Sequence, residues 1–278
     1  MPRHVRGEVL AVRRAGAHRV VSLAAPGVPA TFRPGTFVKV SESGRHDEGW
    51  GGSGAWWIHR VEPTSAFGPT VEVLVDPEEA DAAWLLGLAV GRSVRVTGAL
   101  GRPFTLPREP VPVLLVGEGG NASPLVELAD RLRQRGCAVT LLLGAPDEQH
   151  LFAVREARRL ARHLHVRTHD GSVGERGHVA DAVGPLLAAS QAAVLYTAGV
   201  PDACRPVVEA ADAAGVPAQV ALRVPMPCGT GLCHGCVLPV LTPGDAVRQV
   251  RACVEGPVLP GHRVAWDQLV ATDAGVAP

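Results

Sequence analysis

Three cysteines fall within nine residues in the segment CGTGLCHGC, which spans residues 228–236. Cys228, Cys233 and Cys236 have the spacing C-x4-C-x2-C, and Cys253 follows after sixteen further residues. This is the plant-type spacing with which four thiolates bind a [2Fe–2S] cluster. The glycines of the loop allow positive φ angles and leave room for amide N–H groups to point at sulfur. The sequence therefore predicts these four cysteines as the ligands of a [2Fe–2S] cluster.

A structural zinc site is the main alternative for the same residues. Zinc sites usually contain two C-x2-C pairs, whereas this segment contains one. His234 lies inside the loop, but a Rieske centre needs two histidines and no second one has suitable spacing. The remaining cysteines, Cys137 and Cys204, are expected to be small core residues. A cluster relays single electrons, so the pattern indicates a redox relay.

The composition excludes several other classes of function. The 278 residues contain 27 basic and 27 acidic side chains, so the net charge is zero, and no basic patch indicates a nucleic-acid partner. The charged N-terminus does not resemble a signal peptide, and the apolar runs have the length of strands rather than membrane spans. We expect a cytoplasmic protein with no membrane association. Cysteines in that compartment favour metal or redox chemistry over disulfides.

The elements that would position the cysteines divide the chain into three parts. Residues 1–107 contain short β-branched segments separated by Gly and Pro, which predicts an antiparallel β-barrel. Residues 108–224 alternate buried strands with helices, which predicts a doubly wound parallel α/β domain. Within it, we expect helices at SPLVELADRLRQRG (123–136) and DEQHLFAVREARRLARHL (147–164) and a strand at HVRTHD (165–170). Residues 225–278 form the small unit that carries the cluster motif.

This order of parts resembles the electron-transfer subunits of NAD-dependent dihydroorotate dehydrogenase, which belong to the ferredoxin-NADP reductase superfamily. The resemblance covers nearly the whole chain, and its two cysteine-containing segments are the most specific. The matching segments are PGTFVKV (34–40), VTGALGRPF (96–104), VPVLLVGEGGNASPLVELADRLRQRG (111–136), THDGSVGERGHV (168–179), MPCGTGLCHGC (226–236) and CVEGPVL (253–259).

The resemblance implies that the barrel binds FAD, the α/β domain binds NAD(P)H and the C-terminal unit holds the cluster. It further implies that electrons pass from NAD(P)H through FAD and the cluster to an FMN-containing, dihydroorotate dehydrogenase-like catalytic subunit. That partner makes the protein one half of a hetero-oligomer in pyrimidine biosynthesis. The cofactor-binding residues carried over by the resemblance are Ile58, His59, Gly117, Gly119, Pro124, Asp170, Gly171 and Ser172.

The chain departs from the family pattern at its flavin and nicotinamide positions. Trp56 stands near an arginine that would face the flavin pyrophosphate, and His59 stands near a serine that would bind the flavin ring. Glu118 replaces a glycine of the nucleotide loop, and Ala198 replaces a cysteine near the nicotinamide. The chain is then either a divergent working member with compensating contacts or a flavin-free iron–sulfur accessory or scaffold subunit. A zinc-stabilised binding module is the third alternative.

Overall fold

The first part of the chain folds into a closed, six-stranded antiparallel barrel. The computed structural model describes residues 2–42, 53–79 and 81–269. The barrel strands run in the order β1-β2-β5-β4-β3-β6, and β6 closes the barrel by pairing with β1. A short helix, α1 (Ala82–Leu86), lies between the last two strands. The strands are β1 (Arg3–Ala15), β2 (His18–Ala24), β3 (Phe37–Glu42), β4 (Ser53–Ser65), β5 (Gly68–Val75) and β6 (Ser93–Leu100).

Strand β4 shows how the barrel divides its side chains between two faces. Successive side chains of a strand point to opposite faces. Trp56 and Ile58 belong to the core inside the barrel, whereas Trp57 belongs to the core of the following domain. His59, the next residue of that outward face, is also buried. The barrel wall therefore turns Trp57 and His59 toward the rest of the molecule.

The second part of the chain is a parallel sheet covered by helices on both faces. The buried run of β7 explains the architecture, because a strand that is apolar on both faces needs cover on both. Helices α2 and α3 pack together, as do α4 and α5. The elements are β7 (Pro112–Glu118), α2 (Ser123–Gln134), β8 (Ala138–Ala145), α3 (Val154–Leu160), β9 (His163–Thr168), β10 (Glu175–Arg176), α4 (Val179–Ser190), β11 (Val194–Gly199), α5 (Pro201–Ala213) and β12 (Ala218–Leu222).

The C-terminal residues add a hairpin and one more strand. The hairpin consists of β13 (Val237–Leu241) and β14 (Val247–Arg251), and α6 (Ala252–Glu255) follows it directly. Strand β15 (Val258–Pro260) then pairs antiparallel with β12, at the edge of the sheet order β10-β9-β8-β7-β11-β12-β15. The predicted fold class, a barrel followed by a doubly wound domain and a small C-terminal unit, is confirmed. The bounds of the three domains stay predictions.

The helix expected over residues 147–164 is wrong in its extent. Only α3 (Val154–Leu160) is α-helical, and β9 already begins at His163. Ala153 has a φ of 60°, a left-handed conformation that interrupts any helix coming from the N-terminal side. The ring of Phe152, beside it, packs against the barrel. Tertiary contacts and strand pairing thus shorten the helix at both ends.

Among the described residues, no helix is both long and apolar enough to cross a membrane.

The barrel and the α/β domain meet in direct contact along what we call the interdomain seam. The seam consists of His18, His59 and Leu74 on the barrel and Gly120, Ser123 and Phe152 on the α/β domain.

The seam is closely packed. The Nδ1 atom of His59 lies 3.4 Å from the carbonyl oxygen of Ser123, and its ring centroid lies 5.0 Å from that of Phe152. A Cβ added to Gly120 would lie 3.0 Å from Leu74 Cδ2 and 3.2 Å from the His18 ring. His59 is only 4% exposed as a result. The two domains therefore share a buried contact that contains two imidazoles.

The buried imidazole of His59 predicts a loss of stability in mild acid. Burial lowers the pKa of His59 below its usual 6.5, because the charged form is desolvated. The unfolded chain then binds the proton more readily than the folded chain. The stabilising contribution of neutral His59 is fully present above pH 6.5. Between that pH and the lowered pKa of the folded state, the free energy of unfolding falls by up to about 1.4 kcal/mol per pH unit. His59→Phe should remove this part of the slope in urea titrations at several pH values. Equal slopes in the two proteins would contradict the assignment.

Candidate functional site

The four predicted cluster ligands come together as two pairs of sulfur atoms. Cys228 and Cys233 form the outer pair, which is partly exposed, and Cys236 and Cys253 form the buried inner pair. The Sγ atom of Cys236 donates to Sγ of Cys253 at 3.3 Å. In the outer pair, the backbone N–H of Cys233 points at Cys228 Sγ at 3.5 Å. Electrostatic influence of Cys228 on Cys253 links the two pairs.

Backbone amides around the outer pair favour thiolates. The N–H groups of Thr230 and Cys233 donate to Cys228 Sγ, and that of Gly235 donates to Cys233 Sγ at 3.4 Å. Partial burial opposes ionisation of Cys228, but these donors outweigh it and lower the pKa of its thiol to about 6. Such amide–sulfur bonds also stabilise the extra electron of a reduced iron–sulfur cluster.

In the inner pair, the Cys253 thiol keeps its proton until a metal replaces it. Burial, together with the hydrogen bond from Cys236, raises the pKa of the Cys253 thiol to about 12. Thiols must lose their protons to bind a metal, so metal binding here releases protons. The outer pair is the partly exposed side of the site, whereas the inner pair adjoins the core of the α/β domain.

The arrangement of the sulfurs distinguishes two irons from one zinc. A tetrahedral Zn²⁺ with four bonds of about 2.3 Å would bring every pair of sulfurs to about 3.8 Å. In the described part of the chain, no three cysteine sulfurs lie within 4.8 Å of one another. Two pairs instead suit a two-iron cluster, in which each iron takes two thiolates. The donor set therefore fits a [2Fe–2S] cluster better than a single ion.

Charged side chains hold the loop from both sides. Lys39 of the barrel strand β3 donates to the carbonyl oxygen of Pro227, next to the first ligand, at 2.5 Å. Arg251, at the end of the hairpin, donates to the carbonyl oxygen of Gly231 at 3.0 Å. Gly231 has a φ of 85°, and a Cβ on it would lie 2.6 Å from the side chain of Val254. Glycine is needed there both for the turn and for the close approach of α6.

Comparison with known proteins agrees with this geometry. Residues 225–265 match the family described as the iron–sulfur cluster binding domain of dihydroorotate dehydrogenase B. The electron transfer subunit of dihydroorotate dehydrogenase B (NAD(+)) from Desulforamulus reducens is 32% identical over 64% of this chain and 67% of its own length. A probable subunit of the same kind from Methanopyrus kandleri is 29% identical over 90% of this chain and 88% of its own length. The chain belongs to the family of dihydroorotate dehydrogenase B electron transfer subunits.

Solved structures extend the likeness to the whole fold. A structure of an NADH-dependent reduced ferredoxin-NADP oxidoreductase, studied for flavin-based electron bifurcation, superimposes with a TM-score of 0.80. It is 27% identical and covers 95% of this chain and 91% of its own. The ferredoxin reductase of carbazole 1,9a-dioxygenase has a TM-score of 0.63, with 20% identity over 77% of this chain and 67% of its own. These findings support a [2Fe–2S] cluster and flavin and NAD binding in the family.

In this electron transfer subunit, the predicted nucleotide residues lie at the carboxyl edge of the sheet. Gly117 and Glu118 end β7, Gly119 follows with a φ of 53°, and Pro124 lies in the first turn of α2. A Cβ on Gly117 would lie 2.8 Å from that of Ala122, which explains the glycine. The carboxylate of Glu118 accepts a hydrogen bond from His169 in the neighbouring loop. An acid–imidazole pair therefore borders the loop where an anionic diphosphate needs donors.

The predicted residues Asp170, Gly171 and Ser172 form an exposed turn after β9. The carboxylate of Asp170 accepts from the backbone N–H and the hydroxyl group of Ser172, at 2.9 and 2.7 Å. These hydrogen bonds lower the pKa of the Asp170 carboxyl group. Ser172 Oγ in turn accepts from the backbone N–H of Glu148. His169, which directly precedes the turn, contacts Glu118, so the turn lies beside the nucleotide loop. The polar groups of the turn bond to one another.

The predicted flavin strand does not present an open surface. Ile58 points into the barrel, and His59 is engaged in the interdomain seam. Trp57 is buried, and Arg223 lies 5.7 Å from the centroid of its ring while pairing with Glu79. The guanidinium group that lies over Trp57 is thus already paired with a carboxylate. The seam as it stands does not fit FAD, because a flavin ring would have to part these contacts.

Two cavities among the described residues lie outside the seam. One, of about 270 Å³, lies on the outer wall of the barrel and includes Ser22, Arg60, Thr70 and Glu72 in its lining. The other, of about 10 Å³, lies at Glu118 at the carboxyl edge of the sheet. Sites for drug-sized ligands usually measure roughly 300–1,000 Å³. Neither cavity lies between the barrel and the α/β domain.

Several site residues were not identified from the sequence. Arg223 and Glu79 are 144 positions apart, so no local pattern indicates their ion pair. His169 and His178 both lie in the segment THDGSVGERGHV, which was matched for its Asp-Gly-Ser turn rather than for its histidines. Their positions after a strand and before a helix were the available signal, since ligands collect at the carboxyl ends of parallel strands.

Replacing the fourth cysteine tests the ligand set. Cys253→Ala should reduce iron and acid-labile sulfide from two of each per chain to near zero, because an iron loses one of its thiolates. Cys204→Ala is the matched control, since Cys204 is a buried thiol whose pKa burial raises to about 12 and which lies outside the loop. Iron, zinc and sulfide analysis after anaerobic purification gives the answer. Full iron in Cys253→Ala, or zinc in place of iron in the unaltered chain, would contradict it.

Proposed function

We propose that this chain relays single electrons through a [2Fe–2S] cluster to an FMN-containing, dihydroorotate dehydrogenase-like catalytic subunit. The proposal is supported by the two cysteine pairs, Cys228 with Cys233 and Cys236 with Cys253, which lie within the segment that matches the family's cluster-binding domain. We infer that the two subunits form a hetero-oligomer and that NAD(P)H is the ultimate donor, as in the family. We also infer a cytoplasmic location, where thiols are kept reduced.

An apolar rim around the cluster loop supports docking of a partner. Leu232, Val237 and Val254 are each adjacent in sequence to a cluster ligand, and all three are exposed. Leu232 is 82% exposed. Large apolar side chains grouped around one site on a surface usually mark an interaction surface. Because the outer cysteine pair is also partly exposed, a partner on this rim would come close to the cluster.

Changing the rim should slow electron transfer without harming the cluster. Burying a leucine side chain contributes about 1.5–3 kcal/mol, so Leu232→Asp should weaken docking roughly tenfold or more. The measurement is anaerobic stopped-flow mixing of the reduced chain with the oxidised catalytic subunit, followed by recovery of the cluster absorbance. Phe67→Asp is the control, since Phe67 is 70% exposed on the β4–β5 turn. Equal slowing in both variants, or in neither, would count against the rim.

A second candidate function is a flavin-free relay, and the closed interdomain seam favours it. In that case electrons reach the cluster from an external donor, and the barrel serves as a support for the loop through Lys39. The first candidate instead requires the seam to open around a flavin. Both candidate functions use the cluster. They differ in whether the chain binds FAD, which can be measured directly.

The closed seam predicts a protein that carries iron and sulfide but little flavin. Flavin released by heat from anaerobically purified protein should amount to far less than one per chain. Added FAD should not bind, because its ring would displace buried contacts of His59 and Trp57. Fluorescence of the released flavin and calorimetric titration with FAD measure both quantities. One tightly bound FAD per chain would rule out the flavin-free candidate and leave the first.

A further inference from the structure

Three metal-ligating side chains converge at the carboxyl edge of the sheet, away from the cysteines. Glu118 is the last residue of β7, His169 follows β9 directly, and His178 directly precedes α4. Their ligand atoms all lie within 4.8 Å of one another. The proposed electron relay uses none of them. Three different elements of the fold therefore deliver one carboxylate and two imidazoles to the same point.

The donor set suits a borderline divalent cation. The Oε1 atom of Glu118 lies 2.5 Å from Nε2 of His169. The ring centroids of His169 and His178 lie 4.0 Å apart. Two imidazoles and one carboxylate are protein ligands of zinc sites that keep a fourth position open. With bonds of about 2.0–2.1 Å, a tetrahedral zinc ion needs ligand atoms about 3.3 Å apart. Small side-chain rotations reach that spacing from the observed one.

The backbone behind these ligands is fixed. The N–H group of His169 donates to the carbonyl oxygen of Ala145 at 3.1 Å. The N–H group of His178 donates to the Asp181 carboxylate at 3.1 Å, and its carbonyl oxygen accepts from Arg167 at 3.0 Å. The side chains themselves remain accessible, since His178 is exposed and the other two are partly exposed. The ligands are thus anchored at their backbones, and their side chains can be reached from solvent.

Nearby charge does not oppose a cation. Arg167 is the basic group beside His178, and it forms ion pairs with Glu175 at 3.4 Å and with Asp181 at 4.0 Å. Arg167, Glu175, Asp181 and Glu118 therefore carry a net negative charge when both histidines are neutral. A bound divalent cation would offset this negative charge at the nucleotide loop. It would also offer its open position to an anionic group.

We propose that Glu118, His169 and His178 form a Zn²⁺ site with a coordination position open to solvent. The site is separate from the cysteine loop and independent of the electron relay. Without a metal, the same residues form a hydrogen-bonded acid–imidazole pair beside a second histidine. Direct measurement of zinc binding separates these two states.

The test counts zinc on the holoprotein. Tag-free protein with its cluster intact is washed with a chelator and dialysed against Zn²⁺, and zinc and iron are then measured by plasma mass spectrometry. The expected result is one zinc per chain in addition to the cluster iron. His169→Ala should weaken zinc binding at least about 100-fold while iron and sulfide stay unchanged. His163→Ala is the control, because His163 is an exposed histidine of the adjacent strand outside the cluster of ligands.

X-ray absorption at the zinc edge provides a second readout. Nitrogen and oxygen ligation that is lost in His169→Ala supports the site. The proposal is overturned if the unaltered protein retains no zinc, if His169→Ala binds zinc as tightly as His163→Ala, or if the zinc has sulfur ligands.

Discussion

For the C-terminal loop to hold a metal cluster, four cysteine sulfurs must be held close together, and the structure brings them into two pairs. Thiolates repel, and their burial without a metal is costly, which appears in the raised pKa of the buried Cys253 thiol. The fold holds them together with amide N–H donors from the loop, with Lys39 from the barrel and with Arg251 from the hairpin. The barrel and the C-terminal hairpin thus both contribute to holding one loop. A metal cluster bound there stabilises whatever conformation binds it.

The interdomain seam bears on whether electrons can pass through a flavin in this chain. Contacts of His59, Ser123 and Phe152 join the two domains directly, and Trp57 joins the core of the α/β domain. A fold of this kind accommodates a flavin in relatives, but in this chain the same surfaces touch one another. The cluster loop keeps all four ligands of its cofactor, whereas Glu118 and His169 give the nucleotide edge a different chemistry.

Sequence reasoning succeeded where the determining pattern is local. The cysteine spacing, the buried strands and the order of barrel and doubly wound domain are all visible within short windows, because each depends on periodicity or on a single loop. The sequence did not predict features that depend on contacts between residues far apart in the chain. The seam contact between His59 and Ser123 joins positions 64 apart, and the same packing draws Phe152 out of a predicted helix. The convergence of Glu118, His169 and His178 likewise requires the strand order of the finished sheet.

Electron paramagnetic resonance of the anaerobically reduced protein tests directly whether the four cysteines hold a [2Fe–2S] cluster. Reduction of a [2Fe–2S] cluster by one electron leaves one unpaired spin, so the account predicts a signal that integrates to about one spin per chain. The oxidised protein should give no such signal. A reduced protein without a signal, containing one zinc and no iron per chain, would contradict the assignment of the four cysteines and with it the function proposed for the molecule.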